Sequence, residues 1–127
     1  MRVKDCNIDD SFSTVLKTDS AFDVAEKFGD VKSVIVLEGK KPVGIITAMD
    51  LVRRVLMQRK NPEKTTAGEI MTSPVETVRL DDDLRVASEI MTKNNYLTLP
   101  VVDDDGRFAG MITIYDVAMN VREVKNQ

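Results

Sequence analysis

One seven-residue pattern occurs twice in this sequence, as Gly110-Met111-Ile112-Thr113-Ile114-Tyr115-Asp116 and as Gly44-Ile45-Ile46-Thr47-Ala48-Met49-Asp50. Each copy reads Gly, two apolar residues, Thr, two variable residues and Asp. Apolar residues after Gly are typical of the end of a strand, and Thr-x-x-Asp is typical of the start of a helix. The pattern therefore predicts a strand-to-helix turn, present twice.

The Thr-x-x-Asp turn has two interpretations. It can be a capping box that only closes the start of a helix, and most such boxes bind nothing. It can also hold a sugar phosphate, because a helix start carries unpaired N–H groups and partial positive charge. In that case the Thr hydroxyl would donate to phosphate and the Asp would accept from sugar hydroxyls. Either copy alone is weak support for a ligand, so the choice depends on the duplication.

The duplication covers most of the chain. The two turns lie 66 residues apart, whereas the segment 19–25 precedes its counterpart 81–87 by 62 residues. The second copy is therefore longer by about one helical turn. We predict a first repeat at residues 1–60, a polar linker at 61–66 and a second repeat at 67–127, together one module with a shared core.

Each repeat is predicted to run strand, helix, strand, strand, helix, which is an α/β (α+β) fold. The predicted strands are 14–16, 33–37 and 42–46 in the first repeat and 76–78, 97–102 and 108–112 in the second. The helices that follow the two turns are predicted at 48–59 and 114–125. The helix of the second repeat is expected to be capped by Asp81 or Asp82.

Composition narrows the function classes. With 43% apolar residues, the 127-residue chain can build a core. A net charge of -3 and 5% aromatic residues disfavour a nucleic-acid partner. No apolar run approaches the roughly 20 residues that cross a bilayer, and the first residues lack the apolar core of a signal peptide. We therefore expect a cytoplasmic protein that makes no membrane contact.

Residues for catalysis and metal binding are scarce. Cys6 is the single cysteine and the sequence contains no His, so no intrachain disulfide or zinc site is predicted. The usual general base for a Ser or Cys nucleophile is missing as well. The run Asp103-Asp104-Asp105-Gly106 fits a hairpin turn better than a calcium loop. We predict a protein that is not an enzyme and holds no metal.

Several motifs in fixed order then point to a family. They are Glu69-Ile70-Met71-Thr72-Ser73-Pro74-Val75, Leu84 with Ala87, Leu99-Pro100-Val101-Val102-Asp103, and Gly110-Met111-Ile112-Thr113 with Asp116. Together they resemble a tandem of CBS (cystathionine beta-synthase) domains, over residues 3–125. The resemblance implies two β-α-β-β-α repeats packed sheet to sheet with pseudo-two-fold symmetry, and a homodimer formed through helices.

The resemblance also implies a regulatory function. Such pairs bind adenosine-containing ligands, namely AMP, ADP, ATP or S-adenosylmethionine, in clefts between the repeats and pass the signal to an effector protein, which the sequence does not identify. Asp50 and Asp116 match the ribose-binding acids, Thr47 and Thr113 match the phosphate-side hydroxyls, and Gly44 and Gly110 match the residues that precede them.

Five further residues are weaker candidates for ligand contact. Val36, Val75 and Val102 could wall an adenine, although core packing explains them at least as well, and Arg53 and Arg54 could neutralise phosphates, although a solvated helix face explains most such residues. The first repeat lacks the Leu-Pro-Val-Val-Asp signature, so the two clefts need not be equivalent. The alternative function is a ligand-free structural module for dimerisation or partner interaction.

Overall fold

The chain forms two compact units that do not follow the order of the sequence. The computed structural model describes residues 1–9, 12–29, 31 and 33–120. One unit comprises Phe12–Val75, and the other combines Met1–Ser11 with Glu76–Gln127. We call them the first-motif unit and the second-motif unit, after the Thr-x-x-Asp turn that each contains.

The first-motif unit is built on a three-stranded sheet of order β1-β2-β3, in which β1 is parallel to β2 and β2 is antiparallel to β3. Its strands are β1 (Thr14–Leu16), β2 (Ser33–Glu38) and β3 (Lys41–Thr47). Its helices are α1 (Ala21–Glu26), α2 (Ala48–Leu51), which continues into a π-helical segment (Val52–Leu56), and α3 (Ala67–Ile70).

The second-motif unit repeats this arrangement with a sheet of order β4-β5-β6 and the same strand directions. Its strands are β4 (Val78–Arg79), β5 (Thr98–Val102) and β6 (Phe108–Thr113). A 3-10 helix (Val3–Asp5) precedes them in sequence, and the α-helices are α4 (Leu84–Asn94) and α5 (Ile114–Met119). The predicted mixed α/β fold and its strand-helix-strand-strand-helix order are thus confirmed in both copies.

Each unit has its own apolar core, formed by one face of its sheet and the helices beside it. In the first-motif unit the core consists of Val15, Ala21, Val24, Val34, Val36, Ile46, Val55, Ala67 and Ile70. In the second-motif unit it consists of Val3, Val78, Leu84, Ala87, Met91, Leu99, Val101, Ile112 and Val117. Val3 and Ile70 belong to short helices that are not part of the strand-helix-strand-strand-helix repeat. The segments that carry these two residues therefore also contribute to the cores.

These two segments, residues 1–9 and 67–75, which we call the leading segments, explain the division of the chain. Asp9 and Met111 exchange backbone hydrogen bonds of 3.0 and 2.9 Å, and Ile45 and Thr72 exchange bonds of 3.1 and 2.9 Å. Each leading segment therefore pairs with an edge strand, β6 or β3, whose N–H and C=O groups need partners. In space, residues 1–9 join the second repeat and 67–75 join the first, unlike the sequential division at 1–60 and 67–127.

The cap of α4 differs from the prediction. Asp83, not Asp81 or Asp82, accepts from the backbone N–H of Arg85 at 2.9 Å. The other two acids are engaged elsewhere: Asp82 accepts from the N–H of Arg79 at 2.9 Å, and Asp81 pairs with a lysine of the leading segment. The acid nearest to the first helical residue is the one left to cap it.

The helix after the first turn is shorter than predicted and changes its winding. It ends at Leu56 instead of residue 59, and its last turn is π-helical, with Met57 N–H donating to the carbonyl of Val52 at 2.8 Å. Such i to i−5 bonds widen a helix locally and often occur at functional sites. The counterpart α5 is described to Met119, so the end of the predicted helix 114–125 lies outside the described residues.

Gly110 should tolerate no side chain. Its φ is +146°, and a Cβ would lie 2.6 Å from the backbone carbonyl oxygen of Asp9. We expect Gly110→Ala to lower the free energy of unfolding by roughly 2 kcal/mol or more, measured by guanidinium denaturation. Gly29→Ala is the control, because its Cβ would meet nothing within 4 Å. Equal stability of the two variants would contradict the close contact between β6 and the leading segment.

The Asp83 cap should contribute to acid sensitivity. The backbone N–H of Arg85 donates to Asp83 and holds the pKa of that carboxyl below its usual value. The ionised Asp83 carboxylate therefore stabilises the folded state. This stabilisation is complete above the unfolded-state pKa of about 3.9 and is lost as the pH falls through the lower folded-state pKa. Asp83→Asn keeps an accepting oxygen but removes the titration. We expect its stability, from denaturation curves between pH 5 and 2, to fall less steeply than that of the parent chain.

Candidate functional site

The two Thr-x-x-Asp turns have nearly the same backbone. Thr47 has φ −101° and ψ 165°, and Thr113 has φ −106° and ψ 162°, so each is extended immediately before its helix. Asp50 accepts from the backbone N–H of Thr47 at 2.8 Å, and Asp116 accepts from that of Thr113 at 2.9 Å. In return each Thr hydroxyl accepts from the Asp backbone N–H at 3.3 Å. The predicted strand-to-helix turn is confirmed twice, as a reciprocal capping box.

The Thr hydroxyls differ between the turns. Thr113 Oγ1 donates to Asp116 Oδ2 at 2.9 Å, so this one carboxylate oxygen accepts both bonds from Thr113. Asp116 Oδ1 has no hydrogen-bond partner among the described residues. In the first turn, Thr47 is exposed and its hydroxyl makes no bond to Asp50 Oδ2 within the described part of the chain. The hydroxyl proton of Thr47 can therefore be donated to a ligand. In the second turn the Thr113 hydroxyl is already donating to Asp116, and the group that can still accept is Asp116 Oδ1.

The surroundings of Asp50 include a cation. Arg54 Nε lies 3.9 Å from Asp50 Oδ1, four residues along the helix, and the carboxylate side chain is 17% exposed. Arg54 Nη1 donates to the carbonyl oxygens of Ile70 and Met71, both at 2.9 Å. These carbonyls end the short helix α3 and have no partner within it. Arg54 therefore joins the first turn to the leading segment of the same unit and caps α3.

The equivalent position in the second-motif unit is neutral. Asn120 follows Asp116 by four residues, as Arg54 follows Asp50. Its Nδ2 donates to the backbone carbonyl of Asp116 at 2.8 Å and lies 3.8 Å from Cys6 Sγ. Asn120 also reaches a leading segment, but through a weak contact with sulfur.

Cys6 is a neighbour of the second turn that the sequence did not indicate. Burial raises the pKa of the Cys6 thiol, and the carboxylates of Asp116 and Asp5 raise it further, against a smaller lowering by the N-terminal amine. Cys6 is therefore held as a neutral thiol at neutral pH. Its position beside the turn reflects the pairing of residues 1–9 with the second repeat, which no local pattern in the sequence predicts.

The motif glycines allow close packing of the leading segments. A Cβ on Gly44 would overlap the side chain of Met71, and a Cβ on Gly110 would overlap Ile8 and Asp9. Both glycines are buried, each paired with a residue of the central strand of its sheet. The structure thus gives Gly44 and Gly110 a packing function, while the carboxylates and hydroxyls of the turns offer the polar groups.

The weaker candidates separate into buried and exposed residues. Val36 is 0% exposed within the core, and Val102 is 6% exposed. Val75 is half-buried in the leading segment, and Arg53 is exposed. Core packing therefore accounts for Val36. Arg54 is the member of this group that approaches a motif carboxylate, and its guanidinium is already bonded to two carbonyls.

The described residues form neither a metal cluster nor a membrane-spanning helix. Within residues 1–9, 12–29, 31 and 33–120, no group of three or more Cys, Asp or Glu side chains is arranged to hold a metal ion. In the same ranges, no helix combines the length and the apolar character that a membrane span requires.

The chain has relatives in sequence among known proteins. The chain is 40% identical over 103 residues to an uncharacterized protein of Methanopyrus kandleri, an alignment that covers 79% of this chain and 53% of that protein. The chain thus spans about half the length of this relative.

Two solved structures share the fold. The cytosolic domain of the Mg2+ channel MgtE, solved in complex with ATP, has 25% identity and a TM-score of 0.70 over 85% of this chain and 44% of that chain. A CBS domain protein of Pyrobaculum aerophilum, complexed with AMP, has 23% identity and a TM-score of 0.79 over 100% of both chains.

A family model decides the classification. The model for the CBS domain matches residues 3–57 and again residues 67–123, which together make up most of the chain. Each match contains one capping-box turn with its Thr and Asp. The predicted resemblance is confirmed, and the chain belongs to the CBS-domain family as a tandem pair of CBS repeats.

Proposed function

We propose that this chain is a regulatory module that binds an adenosine-containing ligand at its Thr-x-x-Asp turns and passes the signal to a partner protein. The observation that carries the proposal is the duplicated turn, in which a carboxylate is fixed by one oxygen and presents the other. Membership of the CBS family supports the ligand class, as does the ATP complex of the MgtE cytosolic domain. The candidate ligands are AMP, ADP, ATP and S-adenosylmethionine.

The chemistry of the turns suits a nucleoside. A carboxylate oxygen with free lone pairs can accept from both hydroxyls of a ribose, and bonds to a charged acceptor are stronger than neutral ones. The backbone N–H of Thr47 or Thr113 already fixes the orientation of each carboxylate, so little side-chain freedom is lost on binding. The exposed Thr47 hydroxyl adds a donor suited to a phosphate oxygen.

A binding function fits these groups better than catalysis. The sequence has no His, and the thiol of Cys6 has a raised pKa, which makes it a poor nucleophile. Among the described residues, neither turn has a second carboxylate or a lysine bonded to its Asp that would act as a proton-transfer partner.

A second candidate function is a ligand-free module for self-association. It is favoured because a capping box alone accounts for each Thr and Asp, and because the motif helices carry exposed apolar side chains. These side chains are Met49 at 51%, Leu56 at 70%, Tyr115 at 76% and Met119 at 86% exposure. We propose that they contact a second copy of the chain, so that the module is a homodimer in either case.

The ligand proposal is tested by thermal unfolding with AMP, ADP, ATP or S-adenosylmethionine. A ligand at 100 times its Kd stabilises a protein by about 2.7 kcal/mol, so we expect at least one compound to raise the Tm by several degrees. Asp50→Ala combined with Asp116→Ala should abolish the shift. The control is Asp105→Ala, which changes an exposed carboxylate of the β5-β6 hairpin. No shift with any compound, confirmed by calorimetric titration, would refute the proposal and favour the ligand-free module.

The dimer is tested by sedimentation velocity over a range of concentrations. We expect the sedimenting particle to have twice the 14.2 kDa mass of one chain at high concentration, and a lower average mass on dilution. Leu56→Glu and Tyr115→Glu should shift the equilibrium to the monomer, because each buries a charge in an apolar contact. Phe22→Glu is the control for an added charge, since Phe22 is 47% exposed and lies on α1, outside the two helices that follow the turns. A parent chain that stays monomeric at every concentration would contradict the dimer.

A further inference from the structure

The two turns have nearly the same backbone conformation, but the residue four positions after the Asp differs between them. Arg54 and Asn120 lie 66 residues apart, the spacing of the turns themselves. Arg54 Nε is 3.9 Å from Asp50 Oδ1, whereas Asn120 donates to the main-chain carbonyl of Asp116 and leaves the carboxylate untouched. The first carboxylate thus has a cation beside it and the second has a neutral amide near its backbone.

This difference changes what each carboxylate can accept. Asp50 has one oxygen on the backbone of Thr47 and the other facing the guanidinium of Arg54. Asp116 has both bonds from Thr113 on Oδ2, and Oδ1 has no donor within the described residues. A ribose that binds Asp116 therefore meets an unoccupied acceptor, while a ribose that binds Asp50 competes with a positive charge for the same oxygen.

Arg54 cannot move away without loss. Its Nη1 donates to the carbonyl oxygens of Ile70 and Met71 at 2.9 Å each. Displacing the guanidinium from Asp50 would strain or break these two bonds and leave the end of α3 uncapped. The same bonds reduce its capacity to follow a mobile phosphate, because Nη1 already donates to two carbonyl oxygens and Nε lies 3.9 Å from Asp50 Oδ1.

We infer that the Asp116 turn takes an adenosine ligand first and that Arg54 acts as a positioning residue which keeps the Asp50 turn the weaker of the two. The inference rests on the proposed function and adds the order of binding to it. It assigns the non-equivalence of the turns to one residue pair, Arg54 and Asn120. The chain then has one tight and one weak binding turn for the adenosine ligand, so it responds to two different ranges of ligand concentration.

The test is calorimetric titration with AMP. We expect two binding events in the parent chain. Asp116→Asn should weaken the tight event roughly tenfold or more, as for a lost hydrogen bond to a charged acceptor, and Asp50→Asn should remove the weak event. Asp105→Asn, in the exposed hairpin, is the control for a changed carboxylate. Loss of the tight event in Asp50→Asn would overturn the inference, because Arg54 would then be attracting the phosphate.

Variants that exchange the side chains of Arg54 and Asn120 distinguish an effect of charge on AMP binding from an effect on protein stability. Arg54→Asn should strengthen the weak binding event several-fold. Arg54→Lys should leave the weak event unchanged, because it keeps a cation near Asp50. Asn120→Arg should weaken the tight binding event. The Tm of each variant is measured alongside, and Asn120→Arg carries the test if Arg54→Asn unfolds. If AMP, ADP, ATP and S-adenosylmethionine all fail to bind, the proposed function is wrong. If AMP binds but the exchange changes neither event, only the order of binding is wrong.

Discussion

An edge strand carries a row of N–H and C=O groups that need partners, and in both units this requirement brings a leading segment onto the sheet. Residues 1–9 pair with β6, and residues 67–75 pair with β3. The motif glycines, the burial of Cys6 and the bonds of Arg54 all depend on this pairing, since each involves a contact with a leading segment. Each candidate site thus consists of one Thr-x-x-Asp turn together with the leading segment that pairs with the same sheet.

The pairing also explains why the two Thr-x-x-Asp turns remain alike while their neighbours differ. The capping box is local, because its bonds join residues three apart, and the same four residues give the same geometry wherever a strand meets a helix. The side chain four residues beyond the Asp faces the leading segment, and it has become Arg in one copy and Asn in the other. A duplicated fold therefore supplies two equal turns that can be tuned separately.

The sequence predicted what local patterns determine. The order of strands and helices along the chain, the hairpin turns and both capping boxes follow from periodicity and turn residues, and the structure has them as expected. Local patterns were less reliable where several residues of one kind compete, as do the three consecutive acids that could cap α4. Asp81 pairs with the distant Lys4 and Asp82 accepts from the nearby backbone N–H of Arg79, which leaves Asp83 as the cap. The helix after Asp50 ends at Leu56 in a π-helical segment, and hydrophobic spacing does not indicate such winding.

The polar groups of the candidate site were predictable from the sequence, whereas the residues around them were not. The sequence names Thr47, Asp50, Thr113 and Asp116 as candidates because one local motif holds all their mutual bonds. Arg54 was noticed only as a charge on a helix, since its carbonyl partners lie 16 and 17 residues away in sequence. Cys6 lies 114 residues from Asn120, a separation across which a single sequence gives no contact information.

The exchanged leading segments have a consequence for how such a protein can evolve or be dissected. A cut in the linker would leave each half with a bare sheet edge and with a strip of chain suited to the other half, so neither half is a self-sufficient piece. The backbone N–H groups of Val3, Lys4 and Asp9 donate to the carbonyls of Asp82, Leu80 and Met111, so force applied to residues 1–9 would load both the stretch between β4 and α4 and the strand β6. Residues 1–9 are thus mechanically coupled to β6, the strand that leads into the second Thr-x-x-Asp turn, although about a hundred residues separate the two along the chain.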